Sequence, residues 1–286
     1  MSRLLLLLCC FTLSLSVAAQ KNPPAYQLFD RKGKTTNYRK LLRQVKEADV
    51  VLFGESHNDP IAHWLQNVLA RDLAEMGSLT VGMEMFESDQ QEGLDAYLAG
   101  TMKAEEVDKI GEGLWPNFAT DYKPLVDWAA QLGVPVIATN VPRPYARLVF
   151  RQGLAALDTL PAAEKALLPP LPIPYDPELP GYQAMLEMMP AGHGGETFPM
   201  AQAIKDATMA HFIARNQNAD RFLHLNGSYH SDNDEGIGWY LRRYAPELRI
   251  LTITTVEEGD VSELSADNRG KADFTLAVPA LMTKTY

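Results

Sequence analysis

The stretch Val50-Val51-Leu52-Phe53-Gly54-Glu55-Ser56-His57-Asn58-Asp59-Pro60 decides the fold. Four apolar residues in a row, closed by glycine, mark a strand buried on both faces. Asp59-Pro60 then opens a helix, with an N-cap residue followed by proline at the first helical position. Ile61, Leu65, Val68, Leu69 and Leu73 share one side of that helix, and Gly77 stops it.

Downstream the alternation repeats. Strands are expected at Leu79–Met83, Val134–Thr139, Phe222–Leu225, Leu248–Thr254 and Phe274–Val278. Helices are expected at Asp89–Leu98, Lys123–Leu132, Pro144–Leu157, Met200–Arg215 and Glu235–Tyr244. Strands separated by helices imply an α/β fold, with a mostly parallel central sheet flanked by helices. One stretch breaks the rhythm. Residues 169–199 hold eight prolines and glycines 181, 192, 194 and 195, together with Tyr175, Tyr182, Met185, Met188, Met189 and His193. This reads as an insertion on the α/β body, because the alternation resumes after it.

Upstream, residues 1–19 read as a secretory signal peptide. Arg3 precedes the apolar run Leu4–Val17, and Val17-Ala18-Ala19 sets small residues before a cleavage site at Gln20. The run is too short and too rich in Ser and Thr for a membrane span, so no transmembrane segment is expected in the mature chain. Residues 20–47 read as a polar leader carrying one short strand, and 48–286 as the α/β domain. Both cysteines, Cys9 and Cys10, lie in the signal, and neither follows a small residue as a lipidation site requires. The mature chain is therefore expected to lack disulfides, thiolate chemistry and a lipid anchor. A net charge of −10 argues against nucleic acid and anionic membranes as partners.

In an open parallel sheet the carboxyl ends of the strands form one rim, and ligands bind there. Four polar clusters follow predicted strands: Gly54-Glu55-Ser56-His57, Gly82-Met83-Glu84, Asn140-Val141-Pro142-Arg143 and Gly227-Ser228-Tyr229-His230. All four land on that rim. In the two Gly-x-x-His elements, glycine permits a tight turn and the histidine points back over the sheet edge. His57, Glu84 and His230 suit a divalent metal held by two histidines and a carboxylate. They equally suit metal-free catalysis with His57 as base and Glu84 assisting. Arg143 adds a permanent cation for a carboxylate or phosphate. Asp206, on a helix face shared with Met209, is a candidate partner for a rim histidine, and His63 lies near the start of its helix by the same rim. His211 and His224 read as structural, and Trp64, Trp115 and Trp128 as core or pocket wall. The sequence has no Gly-x-Gly-x-x-Gly, Gly-x-Ser-x-Gly or Cys-x-x-Cys-His. A dinucleotide fingerprint, a serine-hydrolase elbow and covalent c-type haem are therefore unsupported.

The ordered motifs Gly54-Glu55-Ser56-His57, Gly82-Met83-Glu84-Met85-Phe86, Asn140-x-Pro142-Arg143, Asp206-x-x-Met209-Ala210 and Gly227-x-x-His230 resemble the ChaN-like haem-binding uptake family. The likeness runs from about Ala48 to about Val256. The family sits in a superfamily with the Tiki and TraB proteins and the erythromycin esterases. The resemblance implies a periplasmic or cell-surface protein of haem or iron uptake. It also implies a homodimer sharing stacked haems, with tyrosine on the iron and basic or histidine groups on the propionates. Tyr175, Tyr182 and His193 in the insertion are the haem candidates. The superfamily also implies an alternative, a hydrolase acting on esters or peptides. Its metal version has His57 and His230 as ligands and Glu55 or Glu84 activating water. Its metal-free version has His57, Glu84, Arg143 and His230 as the catalytic set.

Overall fold

The computed structural model describes residues 23–286, apart from 104–105, 108–109, 111–113 and 189–194. The signal peptide with its two cysteines, and His193 and Met189 of the insertion, lie outside the described residues.

The chain opens with β1 (Gln27–Asp30), β2 (Thr35–Thr36) and α1 (Tyr38–Val45). The alternating body follows as β3 (Val50–Glu55), α2 (Pro60–Met76), β4 (Leu79–Glu87), α3 (Gln91–Leu98), α4 (Lys123–Leu132), β5 (Val136–Asn140) and α5 (Arg143–Gln152). After the short α6 (Ala162–Lys165) come α7 (Pro180–Met188), α8 (Thr197–Asn216), β6 (Arg221–Gly227), α9 (Ile237–Tyr244), β7 (Ile250–Glu258) and β8 (Phe274–Pro279). Among the described residues no helix is long and apolar enough to cross a membrane.

The strands form one eight-stranded sheet in the order β2-β1-β8-β7-β3-β6-β4-β5. The six from β8 to β5 are parallel, and β1 and β2 close one edge antiparallel. The chain steps from β3 past one slot to β4 and β5, then returns to fill the slot with β6 before moving to β7 on the other side. That reversal is a topological switch point, where crossover connections leave on opposite faces and a crevice opens above the strand ends.

Strand β3 shows why the sheet is covered on both sides. Val51 and Phe53 belong to one core with α1, α2 and α4, and Val50 and Leu52 to the other with α5, α8 and α9. All four are fully buried. Truncating any of them to alanine would cost roughly 2–5 kcal/mol for the larger side chains. The helix starts behave as the sequence predicts. Asp59 accepts from the Ile61 and Ala62 N–H groups at 3.0 and 2.9 Å, and Pro60 needs no donor. Gly133 ends α4 at φ +69°, the left-handed conformation glycine adopts without strain.

The differences from expectation are local. Strand β4 runs four residues further, through Glu87, with a register shift against β5 between Met83 and Glu87. Helix α8 starts three residues early. Pro199 fits its first turn, where a missing N–H leaves no bond unmade. Residues 27–45, in the segment read as a leader, are built into the sheet edge and core. Leu28, Phe29, Leu41 and Val45 are buried, and Asn37 caps α1 by accepting from the Lys40 N–H at 3.0 Å. The proline-rich insertion carries a helix, α7, whose Tyr182 and Met185 are buried.

Candidate functional site

The ends of β3, β4 and β6 lie side by side, with Glu55 of β3 in register with Gly227 of β6. The two Gly-x-x-His loops press directly on each other. A Cβ on Gly54 would sit 2.7 Å from the Ser228 Cα, and one on Gly227 would sit 2.8 Å from Cε1 and Nε2 of His57. Neither glycine has positive φ. Close approach, rather than a tight turn, is what demands glycine here.

His230 is buried between two carboxylates. Its Nδ1 lies 2.5 Å from Asp206 Oδ1, and its Nε2 lies 3.2 Å from Glu84 Oε1. An imidazole donates from both nitrogens only as the cation. Burial opposes that charge, but Glu84 and Asp206 override it and raise His230 to about 9. Glu84 is buried too, which alone would raise its pKa. The charges of His230 and His57 and the Gly227 N–H, donating to Oε2 at 2.7 Å, hold it well below its ordinary value. Glu84 follows the last residue of β4 paired with β6, Met83, and lies within the register shift of β4 against β5.

His57 differs. Its Nδ1 donates to Glu55 Oε1 at 3.0 Å, and its side chain is 33% exposed. Glu55 is buried and crowded with donors, with Tyr122 Oη at 2.5 Å and Gln66 Nε2 at 2.7 Å. His63 stands behind, 3.4 Å from Glu55 Oε2 and 3.3 Å from Asp121 Oδ2. Asn117 donates to the His57 carbonyl at 2.7 Å and to Asp121 at 2.6 Å, and Trp115 meets the His57 ring edge-on at 4.6 Å. Burial lowers the pKa of His57, but Glu55 and Glu84 outweigh it and raise it above the usual histidine value. Its Nε2 lies over Gly227 with no protein partner among the described residues.

His57 and His230 line both of two adjoining clefts. One, of about 530 Å³, is walled by Met185 and Met188 of α7, Phe198, Tyr229 and Tyr286. The other, of about 320 Å³, is polar, with Glu84, Glu87, Trp115, Asn140, Arg143 and Lys205. Arg143 holds Glu87 with Nε at 3.3 Å and its backbone N–H at 2.8 Å. Lys205 is half-buried and makes no ion pair among the described residues.

The structure therefore brings together His57, Glu84, Arg143 and His230, and it makes Asp206 the direct partner of His230. Among the described residues, no group of three histidine, aspartate or glutamate side chains is placed to hold a metal ion. His57, Glu84 and His230 do not form a coordination set, because both nitrogens of His230 already face carboxylates and His57 Nδ1 is taken by Glu55. Tyr182 lies buried with its hydroxyl on Asp206 Oδ2 at 3.2 Å, and burial with that carboxylate raises its pKa far above the usual phenol value. Tyr175 stacks on it at 5.7 Å, and neither tyrosine lines either cleft. His224 is enclosed by Thr139 and Asn226, and burial lowers it to about 4. His211 packs edge-on against Phe212 and Tyr244. Trp128 is in the core and Trp64 is exposed, so Trp115 alone of these three meets the site. The sequence reading passed over Tyr229, although it sits inside the second Gly-x-x-His element. It also passed over Lys205 and the Asn117–Asp121–Tyr122 support, which carry no motif.

Residues 41–241 match the family model described as haem-binding uptake, Tiki superfamily, ChaN. The chain belongs to this family. Among solved structures it is similar to one described as cofacial heme binding to ChaN of Campylobacter jejuni, at TM-score 0.68 and 19% identity over 89% of this chain and 97% of that one. A protein from Bacillus cereus aligns at TM-score 0.51 and 13% identity over 89% of this chain and 95% of that one. An erythromycin esterase in its open conformation aligns at TM-score 0.47 and 12% identity over 89% of this chain and 83% of that one, too distant to bear on chemistry. At these identities the likeness to solved structures is one of fold. No curated protein matches the sequence.

Proposed function

We propose that this ChaN-family chain binds haem in the cleft between Met185, Met188 and Phe198 and the two Gly-x-x-His loops, and serves haem or iron uptake outside the cytoplasm. The observation that carries the reading is the composition of that cleft. Met185, Met188 and Phe198 offer soft apolar walls to a porphyrin, and the Tyr229 phenol lies among them. Phenolate oxygen is a known axial donor to haem iron. Tyr229 donates only to the Gly181 carbonyl, at 3.0 Å, and the residue is 45% exposed, so it is a better candidate ligand than Tyr182 or Tyr175. Burial and nearby carboxylates, Glu235 foremost, raise the Tyr229 pKa, so the phenolate would need the iron to form. Arg143 and Lys205, on the far side of His57, are cations of the kind that would hold propionates.

Met188, Tyr229 and Tyr286 are exposed, and one side of a flat ligand in this cleft would remain uncovered. That favours a homodimer closing over it, as the family resemblance implies. Export through the signal at 1–19, without a lipid anchor, belongs to the same proposal. The test is titration of the purified protein with haem, following the Soret band and molecular size together. A saturable shift with dimerisation is expected, and no saturable shift would overturn the reading.

The metal-free hydrolase reading retains one favouring observation. His57 is fixed by Glu55 through Nδ1 and keeps Nε2 for the cleft, the arrangement of a general base. Ester and peptide panels turned over by the wild type, and not by His57→Ala, would support it. Equal rates from both proteins would remove it.

A further inference from the structure

The segment after β8 has no regular structure between Met282 and Tyr286, yet Lys284 and Thr285 tie it to the site. Lys284 Nζ meets Glu257 Oε1 at 2.6 Å and Asp59 Oδ2 at 3.4 Å. Asp59 is the fully buried N-cap of α2, so this cation approaches a carboxylate that already holds the start of a site helix. The Thr285 N–H donates to the Asn58 carbonyl at 3.1 Å, and its hydroxyl donates to the buried Asp121 Oδ2 at 2.7 Å. Asp121 also takes Asn117, the residue that grips the His57 carbonyl. These ties bring Tyr286 to the wall of the cleft proposed for haem, beside Ser56, His57 and Asn58. The residue is 63% exposed, so its own packing does not hold it there.

An irregular segment loses conformational freedom when it is ordered, and it stays in place only if specific bonds offset that loss. Here the bonds come from the loop that carries His57 and from the carboxylate network behind it. Positioning Tyr286 at the cleft is the structural consequence of all three ties. We propose that residues 284–286 form a strap that completes the ligand cleft. Lys284 and Thr285 are positioning residues, and Tyr286 is a wall that contacts the bound flat ligand and slows its escape. The inference rests on the haem reading of this cleft.

The experiment measures the rate at which haem leaves the loaded full-length protein for an excess of an apo-globin scavenger. Wild type is compared with Thr285→Val, Thr285→Ser, Tyr286→Ala and Tyr286→Phe. Thr285→Val and Tyr286→Ala should each release haem on the order of tenfold faster, a change of about 1.4 kcal/mol. Thr285→Ser keeps the hydroxyl, and Tyr286→Phe keeps the ring, so both should stay close to wild type. The saturated spectrum of the two Thr285 variants should match that of the wild type, because Thr285 acts on retention. Circular dichroism melts separate a loosened strap from a misfolded chain. Release rates within twofold of wild type in both Thr285→Val and Tyr286→Ala would overturn the strap while leaving the haem reading intact. Failure of the wild type to take up haem would overturn the haem reading itself, and the strap with it.

Discussion

His57 and His230 occupy equivalent places in two loops spelled alike, yet the fold gives them opposite conditions. His230 is sealed between Glu84 and Asp206 and held as a cation. His57 has one carboxylate, on Nδ1, and is partly open to both clefts. The difference comes from the elements behind each loop. Helix α8 brings Asp206 against the second loop, and the end of β4 brings Glu84. Behind the first loop, Tyr122 and Gln66 saturate Glu55 with donors. One histidine therefore serves as a fixed charge that knits β4, β6 and α8 together. The other is the residue available to a ligand.

The contrast is easiest to break by mutation. His230→Ala would leave two buried carboxylates without their counter-charge and should cost about 3–5 kcal/mol in urea unfolding. His57→Ala leaves Glu55 with Tyr122 and Gln66, and should cost about 1 kcal/mol. Equal losses would contradict the division of roles.

The pH dependence of stability sharpens the same contrast. His230 has its folded value raised to about 9 from 6.5. Its stabilising contribution is therefore complete below pH 6.5 and is lost as pH rises through about 9. The loss should amount to about 3 kcal/mol. Urea midpoints measured between pH 6 and pH 10 should fall in the wild type. They should fall much less in a His230→Gln protein, provided that protein folds. Parallel curves would show that His230 is not the group titrating.

A smaller effect is expected at the contact between the loops. Gly227→Ala would force a methyl group against the His57 ring, so His57 must shift. The cost should be about 1–3 kcal/mol, with a weakened response of the His57 ring to cleft ligands by nuclear magnetic resonance. An unmoved His57 signal would contradict the close packing of the two loops.

Much of this site could be read from the chain. The apolar run at Val50–Phe53 and the helix start at Asp59-Pro60 obey local rules, so the parallel sheet and its rim followed, and His57, Glu84, Arg143 and His230 with it. Asp206 was legible as a helix residue able to face a rim histidine. The choice of tyrosine was not legible. Tyr182 and Tyr229 are both tyrosines near glycines, and only packing shows that one hydroxyl is spent on Asp206 while the other stands at the cleft. Nor was the edge hairpin of β1 and β2 legible, because strands of four and two residues carry too little periodicity to register. The exchange of turn for contact at Gly54 and Gly227 depends on two loops 173 residues apart in sequence meeting in space, which no local pattern encodes.

The central claim is that haem occupies the cleft walled by Met185, Met188 and Phe198. It is tested most directly by equilibrium haem titration of the wild type beside Phe198→Glu, which sets a charge in that wall without touching either histidine pair. The account predicts a saturable Soret shift in the wild type and at least a tenfold weaker one in the variant, about 1.4 kcal/mol or more. Equal haem affinity in the two proteins would place the haem elsewhere and contradict the account.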